Sequence, residues 1–187
     1  AAAISMRNGQ TNSGALNATS TGAAYNVSLD AAATVAAGAL NSSAKLANNT
    51  VAANGFGNVA SNSMNVTTAG DNAPSAVVLN AQSNDATGTV TTLATGTTFT
   101  LALNSDGIGS TNSSAMMTNN TVSSNAYGNM ATNNVTMASF GAGVPSSAVS
   151  SVQSNSAAIS ATATNVTFGM TVGSNSGSAF RVGGNNT

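Results

Sequence analysis

Side chains along most of this chain follow a period of two. Asn54, Phe56, Asn58, Ala60, Asn62, Met64 and Val66 share one parity, and Gly55, Gly57, Val59 and Ser61 share the other. Asn125, Tyr127, Asn129, Ala131, Asn133, Val135 and Met137 repeat the arrangement, and Val78, Asn80, Gln82, Asn84 and Ala86 alternate with Leu79, Ala81 and Ser83. A period of two belongs to a β-strand, whose successive side chains leave opposite faces. Thr89–Leu103 and Val166–Val172 add β-branched and aromatic residues, the side chains that fit a pleated surface. Asn54-Gly55, Gly70-Asp71 and Asp106-Gly107 read as turns. The Ala-rich stretch Asp30–Leu40 is the one helix candidate, weakened by Thr34, Val35 and Gly38. The pattern predicts an all-β protein.

The strands recur. Shifting the sequence by 71 residues places Asn48–Asn62 (NNTVAANGFGNVASN) on Asn119–Asn133 (NNTVSSNAYGNMATN), Pro74 on Pro145 and Gln82-Ser83-Asn84 on Gln153-Ser154-Asn155. Leu46–Thr87 and Met117–Ala158 are identical at 17 of 42 positions, too many for a shared bias toward Asn, Ser, Thr and Ala alone. Gln10-Thr11-Asn12 matches Gln82-Ser83-Asn84 with a shift of one more residue. Tyr25 follows Gln10 by 15 residues and Phe168 follows Gln153 by 15, but Phe99 follows Gln82 by 17, so the middle copy carries a two-residue insertion. Asn185-Asn186-Thr187 repeats Asn48-Asn49-Thr50 after a deletion. The chain reads as one repeat domain with copies at 1–73, 74–144 and 145–187, the last partial. Neither end carries a polar cap, and stacked repeats without caps are expected to associate.

Such copies should lie on one another as a repeat β-solenoid or as amyloid-like stacked layers. Equivalent side chains then form columns. Those expected are Gln10/Gln82/Gln153, Asn12/Asn84/Asn155 and Tyr25/Phe99/Phe168, with two-membered columns Asn58/Asn129 and Phe56/Tyr127. An amide has both a donor and an acceptor, so a buried Asn or Gln can bond to its copy above and below.

Charge bears on the same point. Arg7, Lys45, Arg181, Asp30, Asp71, Asp85 and Asp106 make up the 4% of charged residues, against about 25% in ordinary soluble domains. Stacked like charges repel, so a column architecture favours neutral side chains. Net charge is −1 and mean hydropathy +0.10, so charge repulsion does not hold the chain open. No basic face invites nucleic acid. No apolar run reaches the roughly 18 residues that span a bilayer. Cysteine is absent, which removes disulfides and thiolate metal sites. Ala1-Ala2-Ala3 lacks the signal-peptide pattern, as expected of a mature chain whose leader has been removed.

The succession Gly57–Asn62 (GNVASN), Met64–Asn72 (MNVTTAGDN) and Asn80–Ala86 (NAQSNDA) resembles the repeats of Fap-type functional amyloids, and more loosely those of curlin-like fibre subunits. The resemblance covers roughly 30 residues of each copy. It implies a secreted or cell-surface bacterial fibre subunit, held by Asn and Gln ladders, that serves adhesion or a biofilm matrix. Its partner would be itself, as a homopolymer. An extracellular polysaccharide and an outer-membrane export or anchor protein are the further partners such a subunit would meet.

His, Cys and Glu are absent, which removes the usual catalytic triads, so no enzyme, cofactor or metal is expected. A Ser–Lys pair of Lys45 with Ser42 or Ser43 reads instead as a solvated lysine near a turn. Asn104–Gly109 resembles part of a calcium loop but offers one carboxylate, Asp106, and reads as a β-turn. Asn17, Asn26, Asn65, Asn134 and Asn165 stand in Asn-X-Ser/Thr sequences, of which those in strands are candidates for burial. Tyr25, Phe99 and Phe168 could form a sugar platform, though a core column is favoured. A soluble solenoid that binds polysaccharide or ice is the alternative function. Against an ice face, Thr89, Thr91, Thr95, Thr97 and Thr98 cluster in the middle copy. A phage or receptor-binding fibre tip would add a head domain, and none is visible in the sequence.

Overall fold

A computed structural model describes residues 3–29, 39–71, 73–103, 110–173, 175–176, 179–184 and 186–187. The Ala-rich helix candidate Asp30–Leu40 lies outside them except for Ala39-Leu40, which form a short strand and not a helix, and the Asn104–Gly109 turn lies outside them as well. The described residues hold no helix, and so none long and apolar enough to cross a membrane. The chain is all-β.

The first copy supplies β1 (Ala3–Asn12), β2 (Leu16–Thr21), β3 (Ala24–Leu29), β4 (Ala39–Leu40), β5 (Ser43–Ala47) and the long β6 (Thr50–Thr68). The second repeats them as β7 (Ser75–Asn84), β8 (Val90–Thr95), β9 (Thr98–Leu103), β10 (Ser110–Thr111), β11 (Ser114–Thr118) and β12 (Thr121–Ser139). The third supplies β13 (Ser146–Asn155), β14 (Ile159–Thr164), β15 (Thr167–Val172), β16 (Asn175–Ser176) and β17 (Ala179–Val182). Every sheet is built from equivalents: β1-β7-β13, β2-β8-β14, β3-β9-β15, β4-β10-β16, β5-β11-β17 and β6-β12. In the sheets of β1, β3, β4 and β5 the pairing is parallel and in register, Gln10 on Gln82 on Gln153 and Tyr25 on Phe99 on Phe168. Repetition explains this arrangement. A one-residue slip would move every inward side chain to the outer face, so the hydrophobic pattern of each copy holds the next in place.

The two-residue insertion lies between β7 and β8. Asp85–Thr89 connects them with five residues, where Ser13–Ala15 and Ser156–Ala158 use three. The longer turn closes on its own carboxylate. Asp85 Oδ1 accepts from Thr87 Oγ1 at 2.7 Å, Thr87 N at 3.1 Å and Gly88 N at 3.2 Å. The Thr87 hydroxyl and amide, with the Gly88 amide, hold the exposed Asp85 carboxyl below its ordinary range. A depressed carboxyl favours the folded state above the unfolded pKa and loses that contribution as pH falls through the folded value.

Other turns form columns of their own. Asn41 and Asn112 have φ of 47° and 49°, Asn48, Asn119 and Gly184 have 60°, 54° and 74°, and Gly22, Gly96 and Asn165 have 68°, 68° and 54°. Asn and Gly are the residues that tolerate this left-handed region, so part of the asparagine content serves the corners of each layer. Asn54-Gly55, expected as a turn, lies inside β6. Its equivalent is Asn125-Ala126, and the two asparagines bond through their side chains at 2.9 Å. Alanine has no turn preference, and the column keeps both segments extended.

The described residues form two compact units, each fed by all three copies. One comprises residues 1–17, 55–91 and 126–160. Its apolar core is Met64, Val66, Ala76 and Val78, with Met6, Val135 and Met137 packed against it. The other comprises residues 18–54, 92–125 and 161–187. Phe99, Leu101, Leu103, Leu46, Val51 and Met117 lead its core. The long strands change parity at the boundary. Val51, Ala53 and Gly55 are buried on odd numbers, whereas Asn58, Ala60, Asn62, Met64 and Val66 are buried on even ones. The single parity expected over Asn54–Val66 therefore holds only from Asn58 onward. The strand turns over at Phe56-Gly57, where glycine allows an approach that any Cβ would block.

One buried hydroxyl stands out. Thr97 is fully buried, and its Oγ1 has no hydrogen-bond partner. It follows Gly96 in the corner column and sits between Ala23 and Val166, to judge by Thr98 N bonding Ala23 O and Thr167 N bonding Thr97 O. Thr97→Val removes an unsatisfied oxygen and keeps the shape. It should stabilise the chain by about 1 kcal/mol, read as a higher denaturation midpoint with unchanged cooperativity.

Candidate functional site: amide and aromatic columns

The columns are assembled from strand registers upward. Gln82 Nε2 donates to Gln10 Oε1 at 2.8 Å, and Gln153 Nε2 donates to Gln82 Oε1 at 2.9 Å. Asn12 Nδ2 donates to Asn84 Oδ1, and Asn84 Nδ2 to Asn155 Oδ1, both at 2.8 Å. The glutamine column donates toward the first copy and the asparagine column toward the third, so neighbouring rows of amide dipoles oppose each other. Asn58 Nδ2 donates to Asn129 Oδ1 at 2.8 Å. Tyr25, Phe99 and Phe168 stack at centroid spacings of 5.0 Å with interplanar angles of 12° and 5°. Phe56 stacks on Tyr127 at 5.1 Å and 7°.

Further columns escaped the sequence reading. Asn62 Nδ2 donates to Asn133 Oδ1 at 2.7 Å. Asn49 Nδ2 donates to Asn120 Oδ1 at 2.8 Å, and Asn120 Nδ2 to Asn186 Oδ1 at 3.1 Å. The signal for the last was the match of Asn185-Asn186-Thr187 with Asn48-Asn49-Thr50.

Facing sheets are staggered by half a layer. Gln10 Nε2 donates to Val59 O of the same copy at 2.9 Å, and Gln82 Nε2 to Met130 O at 3.0 Å. In the other direction, Asn58 Nδ2 reaches Ser83 O of the following copy at 2.9 Å, and Asn129 Nδ2 reaches Ser154 O at 2.7 Å. Asn62 shows the same geometry, accepting from Asn8 at 2.8 Å and donating to Asn80 at 3.2 Å. Each long strand is thus tied to the copy it belongs to and to the next. Asn80, Gln82, Asn84, Asn58 and Asn62 are buried without leaving these amides unpaired, which avoids the penalty of burying a bare polar group.

Charged groups stand apart from these columns. Arg7 stacks on Leu79, and Lys45 and Arg181 are separated by Met116. Asp71 Oδ1 accepts from Ala142 N of the following copy at 2.9 Å. Lys45 and Ser43 are exposed on β5, where Ser43 Oγ accepts from Ser114 Oγ at 3.2 Å. Phe99 is fully buried, with Tyr25 and Phe168 packed against the same core, so these rings form part of the interior and not a sugar platform. Asn17, Asn26, Asn65, Asn134 and Asn165 are all exposed, including the four in strands, because each occupies the outward parity.

Of the threonines clustered in the middle copy, Thr95 alone is shown with a threonine in both other copies, which corrects that part of the expectation. Thr164 Oγ1 bonds Thr95 Oγ1 at 3.2 Å, and Gly22 N bonds Thr95 O, which sets Thr21 in the same column. One threonine column, Thr21/Thr95/Thr164, therefore runs through all three copies, hidden in the sequence by the insertion at Asp85–Thr89, whereas Thr89, Thr97 and Thr98 have alanines beside them in the first copy. Thr97, by contrast, points into the core.

Comparison with protein-family models, curated proteins and solved structures finds no match for this chain.

Proposed function

We propose that this chain is a structural subunit of an extracellular bacterial fibre, which polymerises by adding β-layers to its ends and serves adhesion or a biofilm matrix. The observation that carries the reading is the homotypic column. Gln on Gln, Asn on Asn and ring on ring recur along the stacking direction, and a further copy of the repeat offers the same partners as an internal one. Such in-register stacking is the geometry of cross-β fibres, with a repeat of about 4.7–4.8 Å along the axis. The work of the protein is then mechanical and templated, since ladder formation releases free energy without a substrate being turned over.

Purified chain should form fibres at high concentration, with fibre diffraction showing a meridional reflection near 4.7–4.8 Å. Replacing both Asn58 and Asn129 by Asp stacks two carboxylates in one column and should slow assembly severalfold at neutral pH. A monodisperse monomer at high concentration in sedimentation experiments sinks the proposal. That outcome would favour the second reading, a soluble solenoid whose Thr21/Thr95/Thr164 row faces ice or polysaccharide.

A further inference from the structure

A hollow opens on the outer face of the β1-β7-β13 sheet. It belongs to the face and not to an edge, because β7 has a strand on each side and still turns Leu79, Ala81 and Ser83 outward, half-buried. Gly9 and Val152 stand beside Ala81 in register, so this column rises from no side chain to a valine. At Gly9 a Cβ would meet nothing within 4 Å. Its outward neighbours along β1 are Arg7 and Thr11, both with longer side chains. Thr11 continues through Ser83 to Ser154 as a column of hydroxyls. The hollow measures about 300 Å³, with Gly9 and Ala81 as its floor and Val152 at its end. That is the small end of the range for ligand sites.

Its chemistry is polar and carries one charge. Arg7 has Ser5 and Gly9 beside it on β1 and Leu79 beside it on β7, so no carboxylate adjoins it in the sheet. The two described aspartates are engaged elsewhere, Asp71 with Ala142 N and Asp85 within its own turn. A guanidinium presents planar paired donors that match a carboxylate. Across the floor from it, the hydroxyls can both donate and accept, as those of a sugar do. We infer that this hollow binds a uronic acid unit of an acidic polysaccharide, with its carboxylate on Arg7 and its hydroxyls on Thr11 and Ser83. The bare floor at Gly9 lets the sugar ring approach the backbone. Because the hollow is open to solvent, the sugar chain can run on past the bound unit. A nucleic acid would ask for several cations along its backbone, and this hollow holds one. The inference deepens the fibre reading and rests on it for its purpose. In a fibre every subunit repeats the hollow, so one polysaccharide engages several and gains avidity without a new contact.

The test uses the full chain below its assembly concentration and a short oligogalacturonate, followed by titration calorimetry and by amide resonances. Binding should shift Gly9, Thr11 and Ala81 and weaken as salt is raised. Arg7→Gln should weaken it about tenfold or more, the loss expected when a charged hydrogen bond is removed. Gly9→Val keeps the charge but fills the floor with the side chain this column already has at Val152. It should weaken binding severalfold with the fold intact. Lys45→Gln, which removes an exposed cation from β5, should leave binding unchanged. Equal binding of a neutral glucan of the same length overturns the assignment, as does displacement by acetate at matched carboxylate concentration. So does full affinity in Gly9→Val, or a loss in Lys45→Gln as large as in Arg7→Gln, since either makes Arg7 a surface charge without a site. Fibres formed by a chain that ignores the oligosaccharide would retire the hollow and leave the fibre reading standing. Oligosaccharide binding by a chain that never polymerises would do the reverse.

Discussion

Asn84→Asp is expected to cost about 3 kcal/mol of stability at neutral pH, near the lower end for an uncompensated buried charge. Asn84 is fully buried at the centre of its column. Its Oδ1 accepts from Asn12, a bond a carboxylate keeps. Its Nδ2 donates to Asn155 Oδ1 at 2.8 Å, and there the substitution sets one acceptor against another. Asn155 can present its amide nitrogen only by giving up the bond to Ala157 O. Burial pushes the introduced carboxyl above the ordinary Asp value of about 3.9. The folded state then binds the proton more tightly than the unfolded state. The penalty is therefore full above the raised pKa and fades as pH falls toward the ordinary value, where a protonated oxygen again donates to Asn155. Urea denaturation of both proteins at neutral and acid pH reads this directly. Asn65→Asp, on the outward face of β6, should stay within about 0.5 kcal/mol of the parent. A loss of the same size at both pH values would mean that the column carries no specific bond.

Two glycines, Gly57 and Gly9, should respond in opposite directions to alanine. At Gly57 a Cβ would run into the carbonyl oxygen of Gly128 and lie 3.1 Å from Asn84 Nδ2. The first obstacle is backbone and cannot rotate away, and the second belongs to the buried column. Gly57→Ala should therefore cost about 2–3 kcal/mol, the upper range for overpacking a filled interior. At Gly9 a Cβ meets nothing within 4 Å, and the residue lies in an ordinary extended strand. Gly9→Ala should raise stability by about 0.4–1 kcal/mol, through the smaller entropy of the unfolded chain. Denaturation midpoints of the two variants test the pair. A loss at both positions would point to a general need for flexible strands, and the close approach of β6 to the asparagine column would then be wrong.

Asp85 and Thr97 show how a repeat hides its own exceptions. The insertion was legible as a spacing, 17 residues from Gln82 to Phe99 against 15 elsewhere. Its location was not, because nothing in the spacing separates Asp85–Thr89 from the rest of that interval. Without that location Thr95 has no visible counterpart in the other copies; with it, Thr95 falls on Thr21 and Thr164. Thr97 read as one more member of a polar cluster, although its neighbours along the stack are Ala23 and Val166.

The repeat in the sequence was enough to determine the all-β class, the stacking of copies and the partners within the columns Gln10/Gln82/Gln153, Asn12/Asn84/Asn155 and Tyr25/Phe99/Phe168. The physical reason is that each residue in such a stack has its own equivalent as its nearest neighbour, so identity at a fixed interval already names the contact. Contacts across the fold are of another kind. Whether Asn58 meets Ser83, where β6 changes face at Phe56-Gly57, and how facing sheets come to be offset by half a layer depend on the summed geometry of every turn between them. Asn54-Gly55 and Asn48 illustrate the limit. The first has the composition of a turn yet is held straight by Asn125, whereas the second makes a left-handed corner without any glycine beside it. Local preference is worth only about 1 kcal/mol at such positions, so the pairing between copies decided them.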